Sequence, residues 1–206
     1  MNLYISDLHF GHENAIKFDN RPFSSVEEMN ETLVQNWNKA VSPEDTVYVL
    51  GDFFWKRKDM LAYLPRLNGK IILICGNHDG KWLKEKVEHH SYLEVVDNGR
   101  SVVLCHYPIL SYNRMHYGGY HLYGHVHNSK EAERVAKCFN LMGLKNAYNC
   151  GCMMEGFDYT PLTLDEIIMY SDRPSDEVEE LFIPNDPLNK PFYGTEESED
   201  KLYEDR

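Results

Sequence analysis

Ile5-Ser-Asp-Leu-His-Phe-Gly-His12 is the segment from which the architecture of this chain can be worked out. It begins at the end of an apolar run, Leu3–Ile5, which is too short to form a helix by itself and is therefore predicted to be a strand. The strand leads directly into Asp7 and His9. Because side chains two residues apart lie on the same side of an extended backbone, both are expected to point into one cavity.

Four further apolar runs end in polar residues in the same way. The fragments that follow them are Gly51-Asp52, Gly76-Asn-His-Asp79, His106 and Gly124-His-Val-His127. Loops that follow strands are where α/β proteins assemble their sites, because a rigid sheet holds the loops close together. One such fragment alone occurs by chance in many proteins. Five in succession, all rich in metal-ligand residue types, are not explained by chance, and we interpret them as one functional site.

Helix signals occupy the segments between these runs. Two capping boxes, Ser24-Ser-Val-Glu27 and Thr163-Leu-Asp-Glu166, predict the starts of an amphipathic helix and of a short helix that runs through Tyr170. The pair Asn98-Gly99 lies between two alternating runs and predicts a type I′ hairpin turn. Strands mixed with helices and a hairpin indicate an α/β layered domain with a mixed sheet. Two shorter helices are predicted at Asp59–Leu67 and Gly80–Glu88.

The composition indicates a globular domain followed by an acidic tail. Of the 206 residues, 42% are hydrophobic and 13% aromatic, which is enough for one domain with a substantial core. We place this domain at residues 1–170. Residues 171–206 contain twelve acidic residues against four basic ones, and four of the nine prolines. This segment is therefore expected to be an acidic, proline-containing C-terminal tail of irregular structure.

Charge and cysteine content restrict the partners and the compartment. A formal net charge of -12 argues against nonspecific nucleic-acid binding, which depends on cationic contacts to phosphate. No apolar run approaches the roughly 20 residues that span a bilayer, and the N-terminus lacks the pattern of a signal peptide, so no membrane association is expected. The five cysteines lie mostly in apolar runs, which is typical of free thiols in a reducing compartment. We therefore predict a cytoplasmic protein.

The ordered set of polar fragments resembles the calcineurin-like metallophosphoesterase superfamily. The pattern of that superfamily is Asp-x-His, Gly-Asp, Gly-Asn-His-Asp/Glu, His and Gly-His-x-His, and here the motifs span residues 7 to 127. The segments Ile5–His12 and Asp19-Asn-Arg-Pro-Phe23 are most similar to small bacterial or phage members. The resemblance implies an α/β fold in which a β-sandwich is flanked by helices in four layers (αββα), with the site at one edge.

The resemblance also implies two bound metal ions and a catalytic acid. Imidazole and carboxylate ligands favour divalent transition metals, of which Mn²⁺ is expected first and Fe, Zn²⁺ or Ni²⁺ otherwise. A hydroxide that bridges the metals would attack phosphorus, and His78 would protonate the leaving oxygen. One metal would be held by Asp7, His9 and His127, the other by Asn77, His106 and His125, and Asp52 would bridge the two.

One departure from the superfamily bears on the substrate. In the protein Ser/Thr phosphatase branch, the Gly-Asp motif continues with an Asp and an Arg that support the catalytic histidine and grip phosphate. Here it continues Phe53-Phe-Trp-Lys-Arg57, so phosphoprotein phosphatase activity is not expected. For Asp79 two roles stay open, orienting a ligand loop or capping a helix. Substrate contacts are considered for four side chains, with an ordinary surface position as the alternative for each: His12, Arg21, Lys56 and Arg57.

The leading hypothesis is a phosphoesterase that hydrolyses a small, nucleotide-like phosphomonoester or phosphodiester. A nuclease is the alternative within the enzyme class, although the acidic balance disfavours it. A noncatalytic scaffold that binds a protein partner is the alternative from another class, and the loss of a ligand or of His78 would have favoured it. A structural zinc protein would have a closed set of four Cys/His ligands, whereas this set has too many oxygen ligands. Beyond the substrate, the sequence does not identify a protein partner.

Overall fold

Four parallel strands form the first of two sheets in the computed structural model, which describes residues 1–171. Parallel strands place their carboxyl ends at one edge of a sheet, so the loops after the first three strands lie side by side. The strands, in spatial order, are β1 (Asn2–Ile5), β2 (Thr46–Val49), β3 (Lys70–Ile74) and β4 (Glu88–His90). The predicted tail lies outside the described residues, apart from Ser171, which ends the last helix.

The second sheet is mixed. Its strands, in spatial order, are β5 (Tyr92–Asp97), β6 (Arg100–Cys105), β7 (Tyr120–Tyr123) and β8 (Ala147–Asn149). The first two form an antiparallel hairpin, and the last three run parallel to one another. At the hairpin turn φ is 48° at Asn98 and 80° at Gly99, which agrees with the predicted type I′ turn.

Six α-helices flank the sheets within residues 1–171. They are α1 (Glu13–Phe18), α2 (Val26–Ala40), α3 (Arg57–Tyr63), α4 (Lys81–Lys84), α5 (Lys130–Leu141) and α6 (Leu164–Ser171). The helix predicted at 59–67 is α3 continued by a 3-10 turn at Leu64–Arg66, and the one predicted at 80–88 ends early because the chain enters β4. Neither α1 nor α5 was predicted. No helix among the described residues is long and apolar enough to cross a membrane.

The two capping boxes differ in how well the sequence located them. At α6, the Thr163 N–H donates to the Glu166 carboxylate at 2.8 Å and the Glu166 N–H donates to the Thr163 hydroxyl at 3.4 Å, as predicted. At α2 the capping residue is Ser25, whose hydroxyl accepts the Glu28 N–H at 3.1 Å. The prediction of a box at Ser24–Glu27 is therefore wrong by one residue, because either serine satisfies the sequence pattern.

A continuous hydrophobic core includes residues of both sheets, among them Val47, Leu104 and Leu122. The sheets are also joined by backbone at the site edge. The Ser6 N–H donates to Cys150 O at 2.8 Å, and the Cys152 N–H donates to Ser6 O at 2.9 Å. This pairing joins the end of β1 to the segment after β8, so the loops of both sheets meet. The predicted α/β architecture of two sheets flanked by helices is confirmed.

Candidate metal centre

The structure brings the seven predicted ligands together at one edge of the two sheets. Ligand atoms of Asp7, His9 and His127 lie within 4.8 Å of one another, and so do those of Asp7, Asp52 and His106. The fold accounts for this clustering, since each ligand lies just beyond the carboxyl end of a strand. Asp7 and His9 follow β1, Asp52 follows β2, Asn77 follows β3, His106 follows β6, and His125 and His127 follow β7.

Five of these residues have a left-handed backbone. The angle φ is 55° at Asp7, 52° at His9, 53° at Asp52, 72° at His125 and 50° at His127. The prediction of an extended backbone at Asp7-x-His9 is therefore wrong, and this pair and His125-x-His127 each converge through two residues of positive φ. Such conformations cost on the order of 1–3 kcal/mol each and persist only where the surroundings over-determine them. Their concentration here is typical of a functional site.

Asp7 is a carboxylate without access to water. Its side chain is fully buried, and its oxygens accept the His125 N–H at 3.2 and 3.0 Å. Burial raises the pKa of this carboxyl to about 6, and the nearby His127 opposes the rise. Since burial destabilises the charged form, a cation beside Asp7 would supply the stabilisation that water gives elsewhere.

Asp52 lies between the two predicted sets of ligands. Its Oδ2 is 3.7 Å from His9 Nε2, which belongs to the first set, and 3.7 Å from His106 Nε2, which belongs to the second. Its Oδ1 accepts the His78 N–H at 2.9 Å, which fixes the orientation of the carboxylate. A ligand that bridges two cations would need an oxygen in this position between the two sets.

Asp79 orients the ligand loops. Its carboxylate accepts the backbone N–H groups of Asp52 and Phe53, both at 3.0 Å, and that of Gly76 at 2.8 Å. Helix α4, which follows it, has no side-chain cap. Of the two roles that the sequence left open, the structure supports the first, orienting a ligand loop.

Gly51 allows His106 to approach the loop that carries Asp52. Its φ is 94°, and the Cβ atom of any other residue would lie 2.3 Å from His106 Nδ1.

The side chains of the second set converge, with Asn77 between the two histidines. Its Oδ1 lies 3.0 Å from His106 Nε2 and 3.1 Å from His125 Nδ1. His106 is fully buried, whereas Asn77 is exposed and His125 is half-buried. Burial and the neighbouring His106 lower the pKa of His125, so the neutral, metal-binding form of its imidazole is favoured. The second set therefore opens towards solvent on one side.

His127 is oriented by a carboxylate that sequence reasoning missed. Its Nδ1 lies 2.6 Å from Asp19 Oδ1, which directs Nε2 towards the other ligands. Burial disfavours the charged imidazole, but the hydrogen bond to Asp19 and the charge of Asp7 outweigh it and raise the pKa of His127. Asp19 follows α1 in an irregular segment, so no periodic pattern marked it. Asn149 adds a second support by donating to His127 O at 2.7 Å.

Arg21 is placed to hold Asp19, and its predicted contact with substrate is wrong. The guanidinium is buried and donates to Asp19 Oδ2 from Nε at 2.9 Å and from Nη2 at 2.7 Å. The remaining bonds go to Leu8 O at 2.9 Å, Asp7 O at 2.8 Å and the Met29 sulfur at 3.6 Å. With its donors used inside the protein, Arg21 fixes the loop that carries Asp7.

The rings of His78 and His12 both lie near that of His9 in the first set. Their ring centroids are 5.8 and 5.4 Å from that of His9, and each has a buried Nδ1 without a hydrogen-bond partner among the described residues. Burial and the neighbouring His78 lower the pKa of His12 to about 4, so this ring is neutral near pH 7. Lys56 and Arg57 are exposed at the start of α3, and their contact with substrate stays a prediction.

The donor atoms fit two cations. His106 Nδ1 donates to Leu50 O at 2.7 Å, so the lone pair of its Nε2 faces the oxygen of Asn77. His127 Nδ1 is bonded to Asp19, so its Nε2 faces His9 Nε2, 3.3 Å away. Imidazole, amide and carboxylate groups that converge in this way together suit divalent transition metals.

Comparison with known proteins identifies the family. The sequence profile described as the calcineurin-like phosphoesterase superfamily domain matches residues 1–154. The chain belongs to this superfamily. Membership was predicted from the motifs and is confirmed, as is the fold. Superfamily members are typically metal-dependent hydrolases, and the ligand clusters described above are consistent with the divalent metals that they use.

Relatives of this superfamily member occur in archaea, bacteria and phage. An uncharacterized protein of Methanocaldococcus jannaschii is 38% identical over 167 residues, which are 80% of this chain and 87% of the relative. The Gene 66 protein of Mycobacterium phage L5 is 36% identical over 81 residues, 37% of this chain and 39% of the relative. A DNA double-strand break repair protein Mre11 of Nanoarchaeum equitans is 31% identical over 102 residues, 43% and 27% of the two chains.

A solved structure supports the same fold. The crystal structure of a protein of unknown function from Aquifex aeolicus superimposes with a TM-score of 0.64 at 29% sequence identity. The match covers 81% of this chain and 97% of the other. The architecture is thus shared over most of both chains.

Proposed function

We propose that this chain hydrolyses a small, nucleotide-like phosphomonoester or phosphodiester with two divalent metal ions, Mn²⁺ first among them. One observation carries the proposal: Asp52 Oδ2 is 3.7 Å from an imidazole nitrogen of each ligand set. A closed structural zinc site has no need of a carboxylate shared between two sets of ligands. A shared carboxylate that holds two cations together is the arrangement of two-metal hydrolysis.

The bound metals would supply positive charge to the phosphoryl oxygens and lower the pKa of the attacking water. The protein's own residues would supply the negative charge that holds the metals and would fix the positions of the ligands. Asp7 and Asp52 bring negative charge into a buried site, and Asp19 holds His127 in the tautomer that presents Nε2. Asp79 fixes the loops that carry Asp52 and Asn77. Because these groups are preorganised, little free energy is needed to rearrange them when the transition state forms.

His78 is proposed as the acid that protonates the leaving oxygen. Its backbone is anchored by the bond to Asp52, so the ring is held beside the ligands without belonging to either set. Its ring lies 5.2 Å from that of Trp55. An imidazole near neutral pH can release a proton to a departing alkoxide, which contributes roughly 10²–10⁴ in rate.

The proposed setting is the cytoplasm, and the proposed partner is a small phosphate ester. The five cysteines of the chain are all unpaired, and two of them, Cys150 and Cys152, are buried. Free buried thiols are the pattern expected in a reducing compartment. The net charge of -12 supports a small substrate over a long polyanion.

The test is a screen of purified full-length protein with Mn²⁺ against aryl phosphomonoesters, aryl phosphodiesters and cyclic nucleotides. We expect turnover of at least one class and loss of turnover when the metal is removed by chelation. Turnover that is unaffected by chelation would refute the two-metal mechanism. Metal binding without turnover of any ester would favour the noncatalytic scaffold instead.

A nuclease is the second candidate, and the likeness to the Nanoarchaeum equitans repair protein favours it. The run Lys56-Arg57-Lys58 is exposed at the start of α3 and offers local positive charge to a polynucleotide. Adding single- and double-stranded oligonucleotides to the same screen tests this candidate. Cleavage of oligonucleotides at a higher kcat/KM than that of every small ester would make the nuclease the better description.

A further inference from the structure

A row of aromatic rings leads from the protein surface to His78. Phe18, the last residue of α1, is 76% exposed, and its ring meets that of His12 edge-on at 6.3 Å between centroids. His12 stacks on Trp55 at 3.8 Å with an interplanar angle of 15°. Trp55 in turn lies 5.2 Å from His78. We call Phe18, His12 and Trp55 the aromatic row.

The aromatic row is not part of the hydrophobic core. Neither Phe18 nor Trp55 belongs to the two hydrophobic clusters of the described residues, whereas Trp37 and Trp82 contribute to the larger one. Phe18 leaves most of its apolar surface in water, so its ring is accessible to a ligand. Covering that surface would be favourable.

The row lies on one side of the metal centre. The His12 and His78 rings both flank His9, with centroid distances of 5.4 and 5.8 Å. The ring of Tyr107, which is also exposed, lies 4.5 Å between centroids from that of His125. Tyr107 is therefore next to the second set of ligands. If His78 protonates the leaving oxygen, the leaving group departs along the aromatic row and away from Tyr107.

We propose that the aromatic row binds a planar ring carried by the leaving group of the ester, and that the ligand is a nucleoside phosphate. This inference rests on the proposed function, because it takes His78 to mark the leaving-group side. A nucleobase stacks on aromatic side chains through its face, so the contact tolerates different bases. The phosphate would lie at the metals, and the base would cover Phe18.

The test compares two ligands that differ only in the ring. Adenosine 5′-monophosphate and ribose 5-phosphate share the sugar and the phosphate, so the ratio of their inhibition constants isolates the base. The constants are measured by competition against the aryl ester that the Mn²⁺-loaded full chain turns over. If no aryl ester is turned over, the two dissociation constants are measured by calorimetry. We expect the nucleotide to bind roughly ten- to a hundredfold more tightly.

Two variants and a control test whether the aromatic row causes the difference between the two inhibition constants. Phe18→Ala should reduce the ratio several-fold, and Phe18→Trp should retain it. The matched control is Tyr117→Ala, which removes another ring that is 87% exposed and is not among the rings that Phe18, His12 or Trp55 contact in the described part of the chain. Equal constants for the two ligands in the parent protein would overturn the inference, and so would a ratio unchanged by Phe18→Ala.

Failure of the inference is distinguishable from failure of the proposed function. Ester hydrolysis with equal constants for the two phosphates would leave the phosphoesterase intact and remove only the role of the aromatic row. Absence of hydrolysis, with a large ratio measured by calorimetry, would keep the row as a nucleotide site and remove the catalytic proposal. A ratio that survives Phe18→Ala but is lost in Tyr107→Ala would place the base on the opposite side, contrary to the inference.

Discussion

His127 Nδ1 lies 2.6 Å from the carboxylate of Asp19, and the same carboxylate accepts two bonds from the buried guanidinium of Arg21. A predicted metal ligand is therefore held by an internal ion pair. Because Arg21 also donates to the backbone of Asp7 and Leu8, one cation supports two ligands of the first set, Asp7 and His127. The second set of ligands is more open, since Asn77 is exposed.

Asp19→Asn should weaken metal binding and destabilise the fold. The amide keeps the shape but removes the negative charge, which leaves Arg21 buried without its partner. We expect metal affinity at the first set to fall about 10- to 100-fold and unfolding free energy to drop by about 3 kcal/mol. Titration with Mn²⁺ and urea unfolding of the metal-free protein measure the two effects.

The control for Asp19→Asn is Asp165→Asn, which removes the partner of Arg100 at an exposed position. An exposed pair contributes little, so this variant should leave stability within about 1 kcal/mol and metal affinity unchanged. Equal effects from the two substitutions would mean that the pairing of Asp19 with His127 has no special role.

Asp52→Asn should lose most of the bound metal and nearly all activity. The carboxylate has one oxygen on the His78 N–H and the other between the two ligand sets, and an amide offers one oxygen and no charge. Metal content of the purified variant, measured by elemental analysis, decides the matter. Full occupancy of both sites would show that Asp52 is not the bridge.

The position of the metal centre could be predicted from sequence because each ligand lies at the end of an apolar run. Five such runs are strands, and parallel pairing brings together the ends of β1, β2 and β3 in one sheet and those of β6 and β7 in the other. The pairing of Ser6 with Cys150 and Cys152, which the sequence did not show, joins the two edges. What the sequence did not show is the local backbone. Asp7 and His9 reach the centre with φ of 55° and 52°, which depends on hydrogen bonds to the neighbouring loop at Gly51 and Asp52.

Asp19 and α5 were missed for different reasons. The contact of Asp19 with His127 spans 108 residues and follows no local pattern, so only the folded chain reveals it. Helix α5, by contrast, carries local signals. Its N-cap Ser129 accepts the Glu131 N–H, and apolar residues recur along one face at Ala132, Val135 and Phe139. That helix could have been predicted from period and capping alone.

His78→Ala should keep both metals while losing roughly 10²–10⁴ in rate on an alkyl ester. The loss should be much smaller on a nitrophenyl ester, because nitrophenolate leaves without a proton. The measurement is kcat on the two esters, together with metal content, for the variant and the parent. His116→Ala, at an exposed position outside the site, is the matched control.

Each outcome for His78→Ala has a separate meaning. Equal losses on the two esters would indicate that His78 holds the phosphoryl group instead of donating a proton. Loss of metal would make it a ligand. Unchanged kcat on the alkyl ester would remove it from the reaction.

His121 should make the stability of the protein depend on pH. The ring is fully buried below the loop that follows His106, where Nδ1 bonds to Val103 O at 3.2 Å and Nε2 accepts the Ile109 N–H at 3.1 Å. Protonation of Nε2 would break the second bond. Burial lowers the pKa of His121 from 6.5 to about 4, although the backbone hydrogen bonds oppose it.

The direction of this dependence follows from proton binding. Between pH 6.5 and 4 the unfolded chain holds a proton on His121 that the folded chain lacks, so stability falls as pH decreases through this window. The full difference is roughly 3 kcal/mol for one group. His121→Gln has no titrating ring and should lose this part of the dependence, while losing about 1–3 kcal/mol at pH 7 through poorer packing and hydrogen bonding.

The measurement is the free energy of unfolding in urea of the metal-free protein at pH 7 and pH 4.5. Other buried groups, including Asp7 and His9, also titrate, so the quantity to compare is the pH-dependent difference in His121→Gln against the parent. His116→Gln changes an exposed histidine and should leave that difference as it is. If His121→Gln shows the same pH dependence as the parent, titration of this ring is not the cause of the dependence.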